Sequence, residues 1–250
     1  RGTEIAYNYI HDFKHLDERT HDNGVGIYLD DRQSGIYVHH NIIYPNGIDS
    51  KGNGVQNGSG MHNIIEYNTV VDAAEPFTLS NRFVEDFSSS SAGTSVINEV
   101  VKISGMQKGE KIHYDDGVVK EPTVSGRYEL YFEKYPELEE TVATLVNPNE
   151  TVKKFVEKYP FILTHKNFVP TYNKDGSIKT EAKYGHLAKD IEEGNDLTKY
   201  RLLSLRAQLG NVYTGNVSNT KWKEAEATIQ LYKNFGSTFE NTIQEASNDI

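Results

Sequence analysis

The sequence predicts an all-β protein, a right-handed parallel β-helix (a solenoid) with a mainly helical insertion. Short blocks with an asparagine between apolar and β-branched or aromatic positions recur at about one solenoid coil. Gly-rich turn signals separate them. Between the early and late blocks the pattern shifts to apolar residues at helical spacing, with Lys and Glu between them.

The blocks are IAYNYI (5–10), VHHNII (38–43), IEYNTV (65–70), YTGNVS (213–218) and TFENTI (238–243). Their asparagines are Asn8, Asn41, Asn68, Asn216 and Asn241, so positions 8 to 41, 41 to 68 and 216 to 241 are 33, 27 and 25 residues apart. A period of roughly 20 to 30 residues built of short strands marks a β-solenoid. Asparagine suits its corners, because the short amide tolerates left-handed backbone and can hydrogen-bond to its copies in neighbouring coils. Five Asn-bearing strands in a sandwich are the alternative, but the flanking apolar positions repeat along with the Asn. DNGVG, RQSG, PNG and NGSG supply the turns.

Residues 1–84 are thus expected to form β-helix coils, and 85–127 an irregular or strand extension with the Ser run FSSSSAG and strand-like VINEVVKIS. Residues 128–209 read as the helical insertion, through YELYFEKYPELEETVATLV, NETVKKFVEKYPFIL and LTKYRLLSLRAQLG. Asn149-Glu150-Thr151 is expected to cap the second of these helices and Gly210 to end the third. The coils resume over 210–250, from GNVYTGNV. The chain opens on Arg1-Gly2-Thr3 without an initiator Met or signal sequence and stops at Asn248-Asp249-Ile250 without a closing element. It reads as an internal piece of a longer parent chain.

Composition narrows the partners. The formal net charge of -10 argues against a nucleic-acid-binding face, which needs a basic stripe. No apolar run approaches the roughly 20 residues needed to span a bilayer. Sixteen Tyr and ten Phe against one Trp give flat aromatic surface for sugar stacking or for ordinary packing. The lack of cysteine excludes disulfide and thiol chemistry, and fits a secreted bacterial protein, extracellular or periplasmic. There is no P-loop, dinucleotide fingerprint or nucleophile elbow.

The stretch that carries candidate chemistry is GIYLDDRQSGIYVHHNII (26–43). Side chains alternate along a strand. Ile27 and Leu29 therefore point inward, and Tyr28 and Asp30 outward. Asp31 must lie in the turn, since an unpaired inward carboxylate is costly. Likewise Ile36 and Val38 point inward, Tyr37 and His39 outward. Adding a coil of 26 or 27 residues to the Asp pair reaches Gln56, Asn57 and Gly58, which places two amides beside two carboxylates. Glycoside hydrolysis normally needs two carboxyl groups, about 5 to 5.5 Å apart if retaining and about 6.5 to 9.5 Å if inverting. Asp30 and Asp31 face opposite ways, so a second carboxylate is expected from another coil: Asp12, Asp22, Asp72, or one preceding residue 1.

GIYLDDRQSGIYVHHNII resembles a segment of the parallel β-helix proteins grouped around glycoside hydrolase family 141, which includes enzymes acting on xylan and on fucosylated pectin. Ile27 to Asp31, the Ser34-Gly35 turn and Val38 to Asn41 carry the resemblance. It continues through RGTEIAYNYIHD, NGSGMHNIIEYNTVVDA, YPEL (135–138) and GNVYTGNV (210–217). The resemblance implies a glycosidase acting on an oligo- or polysaccharide. Asp30 would be acid/base or nucleophile and Asp31 the second candidate, with Tyr28, His39, Gln56, Asn57 and Arg82 as sugar-binding residues. The family's other acidic motif, of Asp-Ala-Gly-Ala-Ile-Tyr type, would lie about one coil before residue 1. Ser59-Gly60-Met61-His62 also departs from a Gly-rich Arg-Asp turn that relatives often carry.

Two further clusters stand beside this site. HDFKHLDERTHD (11–22) offers His and carboxylates, with a solvated loop the simpler reading. HYDDG (113–117) reads as a groove-bordering loop, a structural Ca²⁺ site or, more simply, an exposed turn, and no other cofactor is expected. A polysaccharide lyase would need a basic catalytic residue, and only Arg32 and Lys51 occur within 26–72. A non-catalytic module that binds or spaces carbohydrate is the main alternative to the enzyme.

Overall fold

A computed structural model describes residues 2–13, 24–30, 33–45, 52–80, 112–113, 119–120, 136, 140, 143–145, 147–164, 171–172, 178–180, 186–200, 203–204, 207–240 and 244–245. The chain divides into two compact units. One comprises residues 1–83 with 208–250, the other residues 84–207.

The first unit is mostly parallel β-sheet. Its early strands are β1 (Thr3–Ala6), β2 (Tyr9–His11), β3 (Val25–Leu29), β4 (Ile36–His39), β5 (Ile42–Tyr44), β6 (Asn53–Asn57), β7 (Ile64–Glu66), β8 (Thr69–Val70) and β9 (Glu75–Leu79). They enter three sheets in rotation: β1, β4 and β7 the first, β2, β5 and β8 the second, β3, β6 and β9 the third. Of the later strands, Val212–Thr214 and Thr238–Glu240 extend the first sheet. Two more, Val217–Ser218 and Gln244–Glu245, extend the second. Every described pair among them is parallel. The architecture is compatible with a β-helix-like all-β fold.

Period-2 alternation builds the core. Ile5, Val38, Ile65, Tyr213 and Phe239 lie in register across the first sheet. Ile10, Ile43 and Val70 do so in the second, and Ile27, Val55 and Phe77 in the third. These columns face one another in a single apolar cluster. Each fully buried side chain of this size contributes about 1.5 to 3 kcal/mol. Tyr213 stacks on Phe239 at 4.9 Å and meets Phe77 edge-on at 6.5 Å.

Asparagine ladders hold the corner between the first and second sheets. Asn8 donates its backbone N–H and its Nδ2 to Asn41 Oδ1, at 3.1 and 2.9 Å. Asn41 repeats this with Asn68, and Asn68 with Asn216. Asn41, Asn68 and Asn216 are buried, so each amide replaces the water its neighbour has lost. The left-handed residue is not the asparagine but the one before it: Tyr7, His40, Tyr67 and Gly215, with φ of 56°, 51°, 51° and 60°. This corrects the expected placement. Asn241 lies outside the described residues.

A second ladder begins four of the five first-sheet strands, a feature the sequence blocks did not disclose. Ile36 N–H donates to Asn63 Oδ1, Asn63 N–H to Asn211 Oδ1, and Asn211 N–H to Ser237 Oγ. Left-handed Gly35, His62, Gly210 and Gly236 precede these four positions. Gly210 therefore opens a strand corner rather than closing a helix. Among the described residues of LTKYRLLSLRAQLG, the helical structure is 3-10, at Thr198–Tyr200 and again at Ser204. The late part of this unit also holds a helix, Glu226–Asn234, which the strand reading of 210–250 did not anticipate.

In the second unit, α1 (Pro148–Lys158) buries Val152, Phe155 and Val156, a stripe at helical spacing. Its N-cap is Asn147 with Pro148 following, not Asn149-Glu150-Thr151. Asn149 Oδ1 instead accepts the N–H of Leu197 at 2.7 Å. A short 3-10 turn, Pro160–Leu163, follows, and α2 (Leu187–Glu193) ends at left-handed Gly194. Two antiparallel pairs, Ile112–His113 with Val119–Lys120 and Thr171–Tyr172 with Ile178–Thr180, and a 3-10 turn at Ala143–Leu145 complete the described elements. The segment VINEVVKIS and most of YELYFEKYPELEETVATLV lie outside the described residues.

Candidate functional site

The outer face of the third sheet carries part of the predicted site. Tyr28, Gln56 and Thr78 are in register across β3, β6 and β9, and Tyr28 is 45% exposed. Asp30 follows β3, is exposed, and its carbonyl accepts the N–H of Gln33 at 2.9 Å. The Thr78 Oγ is buried without a hydrogen-bond partner among the described residues, a polar atom left over on this face. Asp31, Arg82 and Asp22 lie outside the described residues.

The register in this sheet is 28 residues between β3 and β6, since Tyr28 pairs with Gln56 and Leu29 with Asn57. It is 27 between β4 and β7, where Val38 pairs with Ile65. Corner segments differ in length, so no single coil length transfers between sheets. Gly58 bonds to Leu29 at 2.7 Å, beside Asp30. Asn57 turns inward at 1% exposure, which corrects its expected place beside the aspartates. Its Nδ2 donates to Tyr213 Oη at 3.0 Å and its Oδ1 accepts from Gly60 N–H at 2.8 Å. It is a buried bracket between two sheets. Burial pushes the Tyr213 phenol up, while the bond from Asn57 opposes that shift.

Two proposed carboxylate partners sit elsewhere. Asp12 follows β2 and Asp72 follows β8, both with positive φ, at the exits of second-sheet strands. Asp12 is bonded to His11 Nδ1 at 2.6 Å and Asp72 to Asn219 Nδ2 at 2.7 Å. Asp72 precedes β9, whereas Asp30 follows β3, so a strand length of roughly 17 Å separates those ends.

His39 is on the outer face, as alternation requires, but on the first sheet and only 5% exposed. It therefore does not share a sheet with Tyr28 and Gln56. Around it lies a cluster the sequence reading passed over. His39 Nε2 bonds Glu4 Oε1 at 2.7 Å, and His39 Nδ1 meets His40 Nδ1 at 2.9 Å. The Tyr37 ring stacks on His39 at 3.9 Å, and its hydroxyl donates to Glu66 Oε1. That bond first, then burial, pushes the Tyr37 phenol up to about 12. Tyr7 and Tyr67 flank His40 at 5.3 and 5.4 Å and are 75% and 54% exposed. The usable signal was the turn position before each ladder asparagine, filled by Tyr, His and Tyr.

Among the described residues no group of three or more His, Cys, Asp or Glu could hold a metal ion. Most of HDFKHLDERTHD and HYDDG lies outside them. No described helix is long and apolar enough to cross a membrane. Comparison with protein-family models, curated proteins and solved structures returns no match for this chain.

Proposed function

We propose that this chain is a carbohydrate-active right-handed parallel β-helix with a mainly helical insertion, part of a secreted glycoside hydrolase similar to family 141. The observation that carries this reading is the outer face of the third sheet. An exposed tyrosine ring and an amide stand in register there, and an exposed carboxylate follows at the strand end. Flat aromatic area with adjacent hydrogen-bonding groups suits a sugar ring and its hydroxyls. In this reading Asp30 is the acid/base or nucleophile and Asp31 its alternative, while Tyr28, Gln56 and Arg82 contact the glycan. Assays of Asp30→Asn and Asp31→Asn on plant polysaccharides test it. Removing an essential acid/base is expected to lower turnover at least about 100-fold in one of them. Full activity in both would falsify the assignment.

One observation favours a binding module instead. Asp12 and Asp72, the described candidates for the second carboxylate, lie at second-sheet exits rather than beside Asp30. Glycan binding without release of reducing ends would support that second reading.

A further inference from the structure

We propose that Glu4, His39 and His40 form a hydrogen-bonded relay presenting one imidazole lone pair, His40 Nε2, as the acceptor for a neutral sugar's hydroxyl on the first sheet's outer face. The ligand class rests on the carbohydrate reading above. The relay itself does not.

The tautomers follow from the donor inventory. An ionised Glu4 carboxylate only accepts, so the His39 nitrogen 2.7 Å from it, Nε2, carries the proton. The relay takes both imidazoles as neutral: His39 then offers its Nδ1 as an acceptor, His40 Nδ1, 2.9 Å away, donates, and His40 Nε2 is left unprotonated. The buried middle member holds the geometry. The His39 side chain is 6% exposed, stacked on Tyr37 and met edge-on by Tyr7 at 5.4 Å. His40, by contrast, is exposed.

The fold does not require a histidine there. All four residues at this corner position are left-handed, and at 215 the residue is glycine, which adopts that backbone at no cost. Non-glycine residues pay for it. Tyr7, His40 and Tyr67 nonetheless put three rings side by side where the corner needs none. Such a concentration of left-handed side chains beside a hydrogen-bonded imidazole pair points to a role for the side chains themselves.

Charge selects the ligand. Glu4 and Glu66 border the rings, and the described residues between 2 and 80 include no Lys or Arg. Among the described residues of this face, a uronate carboxylate would meet repulsion with no cation to offset it. A neutral sugar brings hydroxyl donors and an apolar ring face for the exposed tyrosines.

Nitrogen-resolved NMR of the full chain reads the tautomers directly. The expected result is a proton on Nδ1 of His40 and on Nε2 of His39. A neutral His40 protonated on Nε2 overturns the relay. Calorimetry with neutral and with uronic-acid oligosaccharides then tests the ligand. Neutral sugars are expected to bind more tightly, and His40→Asn and Glu4→Gln each to weaken them about tenfold, the worth of one good hydrogen bond. Asparagine tolerates left-handed backbone, so His40→Asn keeps the corner. Unchanged binding in both variants, a preference for uronic acids, or no binding at all refutes the ligand assignment. These outcomes are separable from turnover, which Asp30→Asn and Asp31→Asn report.

Discussion

At the residue scale, Asn68 shows how one side chain joins three strands. Its Oδ1 accepts the Asn41 backbone N–H and Nδ2, while its own Nδ2 donates to Val38 O, Glu66 O and Asn216 Oδ1. Asn68→Ala leaves a buried N–H without an acceptor, and chemical denaturation is expected to show a loss of about 2 to 4 kcal/mol. A loss under about 0.5 kcal/mol, the range of surface substitutions, would mean that water replaces the ladder. The recurrence of Asn8, Asn41, Asn68 and Asn216 was legible in the sequence, because a repeated amide leaves a repeated letter. The placement of the left-handed residue was not. The asparagine must aim both its backbone N–H and its amide at the next copy, so the preceding residue takes the strained backbone. Tyr7, His40 and Tyr67 take it here, and their chemistry lay unread behind the asparagine.

At the element scale, strand faces were readable and strand register was not. Alternation placed Ile27 and Leu29 inward and Tyr28 outward, in agreement with their burial. It also put His39 on the outer face, but could not tell that neighbouring rings would cover it. Register depends on corner length, and the turn between β6 and β7 shows how tightly a corner is made. A Cβ on Gly60 would lie 1.9 Å from Gln33 O and 2.4 Å from Asn63 Nδ2. The first contact is backbone, which cannot rotate aside. Gly60→Ala is therefore expected to cost about 2 to 3 kcal/mol by overpacking, read as a lower denaturation midpoint. An unchanged midpoint would show that this corner yields.

At the scale of the whole molecule, both units hold tyrosines whose phenols are pushed up. Tyr37 is raised by its bond to Glu66, and Tyr159, Tyr200 and Tyr213 first by burial. A phenol with a higher pKa folded than unfolded contributes stability that is complete below the unfolded value. That contribution is lost as pH rises through the folded value. For Tyr37 the window runs from 10.0 to about 12. Tyrosinate absorbance of the folded chain is expected to rise later than that of the unfolded chain, with stability falling across the same window. Tyr37→Phe should remove the Tyr37 share of that fall, and coincident folded and unfolded titrations would contradict the assignment.

By itself the sequence determined which side chains face inward, where the asparagines recur and that the fold is rich in short strands. Periodicity and turn chemistry are local, and they leave local marks. The tertiary structure decided the rest. Tyr28 faces Gln56, Asn57 is a buried bracket, and Asp12 and Asp72 stand away from Asp30. Glu4, His39 and His40 are joined across 35 residues of chain. These neighbours come from strands whose register is set by corner segments of unequal length, and no spacing along the chain records that.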